Sequence, residues 1–130
     1  EVTFMEPQEV FCYDKKEDKL TAVSNYNLPS KVQGVAFDDN GSIYLSTSYG
    51  RNNSSYLKVY SSLLSLDKKP NEPKVKVEMP PCSEEVAIAD GTVFVLFESA
   101  SAKYFEGTDG MGKSPAPIDK LLEVSVASIW

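Results

Sequence analysis

Polar side chains able to bind or process a ligand cluster near the ends of predicted β-strands in this sequence. Carboxylate, amide, phenol and guanidinium groups in such a mixture can bind a sugar, a peptide or a hard cation. The candidate ligand-binding residues are Gln33, Tyr49, Arg51, Asn52, Asn53, Ser83, Glu84, Glu85, Glu98, Ser99 and Tyr104.

Two neighbouring carboxylates in this set, Glu84 and Glu85, have two possible chemical roles. Their oxygens could ligate Ca²⁺ or Mg²⁺, or one of them could act as a general acid or base. The structural alternative, which we favour, is that one carboxylate pairs with a neighbouring unit while the other faces water. We therefore expect no cofactor, with Ca²⁺ or Mg²⁺ as the alternative, and we expect Glu98 to pair with Arg51 as a structural brace.

The residues that are missing or rare exclude several kinds of site. The chain has no histidine, which excludes Ser-His-Asp and Cys-His catalysis within it and any imidazole metal ligand. Its two cysteines, Cys12 and Cys82, are too few for a four-cysteine zinc site. They form one disulfide in an extracytoplasmic setting or remain free, and the sequence leaves both open.

The net charge and the hydropathy of the chain indicate which classes of partner to expect. With 13 basic and 19 acidic side chains the net charge is −6, and such a surface repels phosphate, so we expect no nucleic-acid partner. No run of about 18 apolar residues occurs, so we expect no membrane span.

Ten strands are predicted from β-branched and aromatic segments that lie between turn residues. They are Val2–Met5, Glu9–Tyr13, Leu20–Tyr26, Val32–Phe37, Ser42–Ser48, Tyr56–Ser61, Lys74–Met79, Glu85–Ala89, Thr92–Glu98 and Lys120–Ser128. The segment from Ser62 to Leu66 is predicted to form at most one helical turn.

Two of these strand pairs resemble each other in sequence. The segment Leu28–Phe37 recurs 51 positions later as Met79–Ile88, and each copy is followed by a turn and a second apolar strand. The turns contain Asn40-Gly41 and Asp90-Gly91, which favour hairpins. Strand-built repeats of about 40–50 residues are typical of β-propeller blades.

We therefore predict an all-β fold: a partial β-propeller of about two and a half four-stranded antiparallel blades in a single domain, residues 1–130. The expected units are part of a blade at 1–28, a full blade at 29–79 and a blade without its outer strand at 80–130. An incomplete propeller has open edges, so we expect the remainder of a longer chain, or self-association, to complete it. A closed ten-stranded sandwich or barrel is the alternative.

The up-and-down order of such blades places the candidate residues at one end. The connections that emerge there include the segment from Tyr49 to Ser55 and a long loop from Ser99 to Pro117. Loops of more than about 12–15 residues are often functional, so we expect a ligand site at this end.

The combined motifs also resemble a known group. The chain resembles poorly characterised bacterial secreted proteins with β-propeller-like repeats. The resemblance is carried by Val32-Gln33-Gly34-Val35-Ala36-Phe37-Asp38 and Leu45-Ser46-Thr47-Ser48-Tyr49-Gly50-Arg51, together with the segments Met79–Glu85, Leu96–Ala100 and Pro117–Asp119. The resemblance covers about residues 28–125. It implies a secreted or cell-surface bacterial protein, and it brings no assigned activity and no catalytic residue.

Three functions follow as hypotheses. The favoured one is a non-catalytic, extracytoplasmic propeller segment that binds a carbohydrate, a peptide or a protein. The second is a propeller hydrolase or lactonase that uses a metal held by carboxylates such as Glu84 or Glu85. The third is a purely structural part of a larger propeller.

Overall fold

Three open antiparallel sheets form the framework of the protein. The structure, a computed structural model, describes the backbone of residues 2–5 and 9–130 and the side chains from Glu9 onward. In chain order the strands are β1 (Val2–Met5), β2 (Glu9–Lys16), β3 (Lys19–Asn27), β4 (Val32–Phe37), β5 (Ile43–Thr47), β6 (Ser55–Tyr60), β7 (Val75–Met79), β8 (Ser83–Ala89), β9 (Thr92–Phe97) and β10 (Leu122–Ser125), and the helices are α1 (Leu63–Lys68), α2 (Ala102–Phe105) and α3 (Val126–Ile129).

Each sheet is built from strands that are consecutive in the chain. The N-terminal sheet has the order β1-β2-β3, the middle sheet β4-β5-β6-β7, and the C-terminal sheet β8-β9-β10. Every strand pairing in the three sheets is antiparallel. The predicted all-β class is confirmed, and all ten predicted strands occur. Residues 1 and 6–8 of the first predicted unit lie outside the described residues.

The strand bounds differ from prediction mainly at the C-terminal end. The predicted strand over 120–128 is shorter: β10 ends at Ser125, and α3 follows at once. The predicted helical turn near Ser62 is a six-residue helix, α1, because the Ser62 and Ser65 side chains cap each other's backbone N–H groups in a capping box. Helix α2, within the long loop, was not predicted.

The middle sheet is covered on both faces by separate hydrophobic cores. Because successive side chains of a strand point to opposite faces, β5 sends Tyr44 to one core and Ile43 and Leu45 to the other. The core shared with the N-terminal sheet contains Val10, Leu28, Ile43, Leu45, Tyr60 and Leu66. The core shared with the C-terminal sheet contains Tyr44, Leu57, Val59, Met79, Val86, Val93, Val95, Phe97 and Ile129.

Strands β4 and β8 bring the middle and C-terminal sheets together. The contact is closest at Gly34, where an added Cβ atom would lie 2.8 Å from both the carbonyl oxygen of Glu84 and the Cα atom of Glu85. Beside it, the buried hydroxyls of Ser46 and Ser83 form a 2.7 Å hydrogen bond between the two sheets. This tight junction fixes the relative position of the residues that line the cleft described next.

Candidate functional site

Two β-bulges direct polar side chains toward the junction between the sheets. The register of β4 with β5 shifts between Val32 and Gly34, which places Gln33 in the bulge. The register of β8 with β9 shifts between Ser83 and Val86, which places Glu84 and Glu85 in a second bulge. Bulges interrupt strict alternation and redirect side chains, so they are common next to functional sites.

A turn with the same backbone conformation precedes each bulge. Lys31 and Cys82 both have positive φ angles, 65° and 68°. The carbonyl of Lys31 accepts a 3.0 Å hydrogen bond from the Ser48 N–H, and that of Cys82 accepts one of the same length from the Glu98 N–H. A left-handed backbone conformation is unfavourable for residues other than glycine, so the backbone of these two turns, beside the bulges, is strained.

The two turns and bulges border a cleft of about 470 Å³. Five of the candidate residues from the sequence line it: Gln33, Tyr49, Glu84, Glu98 and Tyr104. The remaining lining residues are Lys31, Ser48, Gly50 and Cys82. We call this space the acidic cleft, because two carboxylates meet in it.

Glu84 and Glu98 form the chemical centre of the acidic cleft. Burial, a hydrogen bond with Glu98 and the negative charges of Glu98 and Glu85 together raise the pKa of Glu84 to about 7. Two neighbouring carboxylates cannot both ionise at low cost, and here Glu84 is the one whose protonated form is favoured. The Glu84 carboxyl therefore keeps its proton up to near-neutral pH, so it can donate a hydrogen bond to a ligand, and the oxygens of Glu98 can accept one.

Tyr104, on helix α2, extends this network from the long loop. The neighbouring Glu98 carboxylate, as a hydrogen-bond acceptor for the phenol, raises the pKa of Tyr104, and burial adds to this effect. The proton of the phenol is thus held for donation to the Glu98 carboxylate. Tyr104, Glu98 and Glu84 therefore lie together at the cleft, where the long loop meets the C-terminal sheet.

Arg51, in the connection between β5 and β6, holds the same loop in place. Its guanidinium, with the side chain 9% exposed, donates hydrogen bonds to the Asp109 carboxylate and to the Gly112 carbonyl. It also lies 4.5 Å from the centre of the Tyr104 ring. The predicted pairing of Arg51 with Glu98 is therefore wrong: Asp109 takes the guanidinium, because the loop folds back over Arg51 and leaves Glu98 to Tyr104 and Glu84.

The other candidate residues lie around the acidic cleft or support it. Asn52 lines an adjoining pocket with Arg51 and Tyr104. The exposed Glu85 accepts a 2.9 Å hydrogen bond from the Val86 N–H at the bulge and does not line the cleft. The Asn53 side chain donates a hydrogen bond to the Tyr49 carbonyl, and the Ser99 hydroxyl accepts one from the Ile118 N–H, so both side chains bind loop backbone.

Both cysteines are free in this structure. Cys12 is half-buried in the N-terminal sheet, whereas Cys82 is buried at the wall of the acidic cleft. Burial, reinforced by the negative charge of Glu98, raises the pKa of the Cys82 thiol. The thiol is thus kept protonated and poorly nucleophilic, and it contacts the Gly50 carbonyl at 3.8 Å.

The sequence did not reveal two residues that shape the acidic cleft. Lys31 lines it with its ammonium 4.7 Å from the centre of the Tyr49 ring. Asp109 fixes Arg51 from a part of the loop with no strand or helix periodicity. The one available signal was that Lys31 and Cys82 align in the two similar segments, which marks corresponding turns.

Within the residues that the structure describes, no group of three or more acidic, cysteine or histidine side chains is placed to hold a metal ion. In the same residues, no helix is long and apolar enough to cross a membrane. No protein-family model, curated protein or solved structure matches this chain.

Proposed function

We propose that this chain is a segment of an extracytoplasmic β-propeller and that it binds a carbohydrate in the acidic cleft without converting it. The observation that carries the proposal is the convergence of Gln33, Glu84, Glu98 and Tyr104 on one cleft between two sheets. Ligand sites favour concave places where a few polar groups converge.

The propeller assignment is supported by the arrangement of the sheets. They contain three, four and three consecutive antiparallel strands, and β4 packs against β8 as innermost strands of neighbouring blades would. The three sheets are open, so we propose that further strands, from the remainder of a longer chain or a second copy, cover their edges. Sedimentation equilibrium tests this idea. Self-association of the isolated chain at tens of micromolar supports open edges, and a strict monomer at millimolar concentration contradicts them.

A carbohydrate fits the acidic cleft better than a peptide does. The Glu84–Glu98 pair both accepts and donates hydrogen bonds, and the Gln33 amide does the same, which matches the hydroxyl groups of a sugar. A peptide ligand commonly adds a strand to a free sheet edge. Here the inner strands β4 and β8 are already packed together at the cleft.

Isothermal titration with a panel of neutral tetrasaccharides tests this function, with a Gly-Ser tetrapeptide as the peptide probe. We expect a tetrasaccharide to bind and Glu98→Gln to weaken its binding by about tenfold, the effect of one hydrogen bond to a charged group. Glu123→Gln, an exposed substitution on β10, is the matched control. Binding of the peptide alone, or sugar binding unchanged in Glu98→Gln, contradicts the proposal.

A metal-dependent hydrolase or lactonase is the second candidate, and the meeting of Glu84 with Glu98 is the observation that favours it. Two carboxylates can supply part of an oxygen ligand set. The melting temperature with Ca²⁺, Mg²⁺ or EDTA separates the two functions, because a metal that binds only the folded chain raises its stability. We expect no shift at millimolar metal; a rise that Glu84→Gln abolishes favours the hydrolase. A chain that binds neither sugar, peptide nor metal fits the purely structural role.

A further inference from the structure

A second groove, of about 180 Å³, lies on the other side of the Lys31 turn. Lys31, Ser48 and Tyr49 line both spaces, whereas Lys58 and Tyr56 on β6 belong to this groove only. The remaining lining residues are Ser30, Thr47 and Ser54. We call it the lysine groove.

One lysine that lines the groove, Lys58, lies opposite a second lysine, Lys76, on the neighbouring strand. Lys58 on β6 is the direct register partner of Lys76 on β7. Directly opposed residues have Cβ atoms about 4.5–5.5 Å apart, and like charges in this position destabilise a sheet. Burial and the charge of Lys76 both lower the pKa of Lys58, so this half-buried ammonium is under electrostatic stress.

No carboxylate relieves that stress among the side chains that the structure describes. Their ion pairs are those of Arg51 and Lys69, and neither involves the groove lysines. Lys76 instead lies 4.0 Å from the centre of the Tyr56 ring. Glu78, which lies two residues beyond Lys76 on the same strand face, accepts a 2.5 Å hydrogen bond from the Ser54 hydroxyl.

Hydroxyl donors complete the groove. The side chains of Ser30 and Ser48 make no hydrogen bond to the residues that the structure describes. Lysines are compact point charges, whereas arginine is the residue whose planar fork matches a carboxylate. Lysines and hydroxyls that approach from different sides therefore suit a tetrahedral anion better than a planar one.

We propose that the lysine groove binds a tetrahedral oxyanion, a sulfate or phosphate group, between Lys31 and Lys58. The anion neutralises the Lys58–Lys76 repulsion and accepts hydrogen bonds from Ser30 and Ser48. On a chain with a net charge of −6, this is a local positive site for a negatively charged group. It is a different site from the sugar site in the acidic cleft: Glu84 and Glu98 take no part in it, although Lys31, Ser48 and Tyr49 line both spaces.

Amide NMR titration with sodium sulfate and with sodium phosphate, from 0 to about 20 mM at constant ionic strength set with chloride, tests the proposal. Chloride compensation separates specific binding from general screening. We expect saturable shifts at Ser30, Lys31, Ser48 and Lys58. Shifts that grow linearly without saturation, or that are spread over all surface lysines, overturn it.

Substitutions make the test sharper. Lys58→Gln should weaken sulfate binding at least tenfold, and Lys120→Gln, at an exposed lysine outside the groove, should leave it unchanged. Without sulfate, Lys58→Gln should raise the melting temperature because it removes the like-charge pair, which also shows that the variant folds. Wild-type sulfate affinity in Lys58→Gln overturns the proposal, whatever the acidic cleft binds.

Glucose 6-sulfate and glucose distinguish the source of the anion. Binding of the sulfate ester at least as tight as that of inorganic sulfate indicates a sulfated sugar, and weaker ester binding indicates the free oxyanion. Equal shifts with glucose and glucose 6-sulfate in the lysine groove overturn the proposal, because the anion would then contribute nothing.

Discussion

The hairpins β4–β5 and β8–β9 have similar backbone features, but the first carries neutral polar side chains at the cleft and the second carries acidic ones. Val35 pairs with Leu45 in the first, and Val86 pairs with Val95 in the second, at corresponding positions of the two similar segments. Each hairpin starts from a left-handed non-glycine residue and carries a bulge directly after its first paired residue. Side chains at corresponding positions of the two hairpins therefore line the same cleft.

The side chains at those positions set the character of each wall. The bulge of the first hairpin carries Gln33, and the residue after β5 is the neutral Ser48. The corresponding residues of the second hairpin are two carboxylates, Glu84 and Glu98, and the pKa of Glu84 is raised to about 7. Shared backbone geometry thus creates the acidic cleft, whereas Glu84 and Glu98 on one side give it its carboxylates.

The largest expected effect comes from Gly34→Ala, which adds a side chain to the first bulge at the position that corresponds to Glu85. Its Cβ would lie 2.8 Å from backbone atoms of Glu84 and Glu85, so β4 and β8 would have to separate. Overpacking of this kind costs typically 1–3 kcal/mol, and contact with backbone places this change near about 3 kcal/mol. Urea unfolding followed by the fluorescence of Trp130 measures the loss.

Gly110→Ala is the control for that measurement. Gly110 has a φ of 77° with no atom within 4 Å of an added Cβ, so only the cost of a left-handed alanine, about 1 kcal/mol, should appear. Equal losses in the two variants would show that the strands at Gly34 separate easily, and that the cleft is not fixed by this contact.

Arg51→Lys tests the connection that follows each hairpin. After β5 the connection is short, whereas after β9 it is the long loop that Arg51 holds through Asp109, Gly112 and the face of Tyr104. A lysine cannot reproduce the planar fork, so local opening of the loop should increase. We expect cleavage between residues 106 and 113 to be about tenfold faster in limited proteolysis, the effect of about 1.4 kcal/mol of lost local stability.

Lys113→Arg provides the matched control, since it exchanges the same two residue types at an exposed position of the same loop. Its cleavage rate should equal that of the parent chain. If Arg51→Lys is cleaved no faster than this control, the loop does not depend on the guanidinium, and Tyr104 is positioned by its other contacts.

The sequence predicted the strands well because β-branched and aromatic residues between turn signals are local features. It did not predict α3, because Val126, Ala127 and Ile129 also suit a strand. In the structure the Val126 N–H donates a hydrogen bond to the Gly91 carbonyl, and the chain then turns into the helix. It also left open which of Glu84 and Glu85 faces inward, since a bulge breaks the alternation on which such a prediction depends. The Asp109 partner of Arg51 and the Lys58–Lys76 pairing needed the tertiary fold and the strand register.

Tyr44→Phe makes β5 resemble β9, where Phe94 occupies the corresponding position. The buried Tyr44 hydroxyl donates to Asp38 at 3.1 Å and accepts from the Trp130 indole N–H at 3.0 Å. Loss of this network should lower the free energy of unfolding by about 1 kcal/mol and change the emission wavelength of Trp130. Tyr56→Phe, which keeps the Tyr44 hydroxyl, should leave the emission of Trp130 unchanged; an unaltered emission in Tyr44→Phe would contradict the contact.

The most specific expected effect, which shows itself only in the pH dependence, is that of Glu84→Gln, which places glutamine at the corresponding position of both bulges. In the folded chain the pKa of Glu84 is about 7, against an ordinary value of 4.5. The folded state therefore binds the proton more tightly, and the stability from this group is complete below about pH 4.5 and is lost as the pH rises through 7. Because Glu84 is partly exposed and solvent screens it, we expect the loss to be about 1 kcal/mol between pH 5 and 8.

Urea unfolding at pH 5, 6, 7 and 8 measures this dependence. Glu84→Gln should flatten the slope and make the chain more stable than the parent at pH 8, because glutamine donates to Glu98 without a charge to remove. Glu123→Gln, at an exposed carboxylate on β10, should keep the parent slope. A parent-like slope in Glu84→Gln would show that the folded chain does not raise the pKa of Glu84. The two hairpins would then differ in shape at the cleft but not in how they titrate.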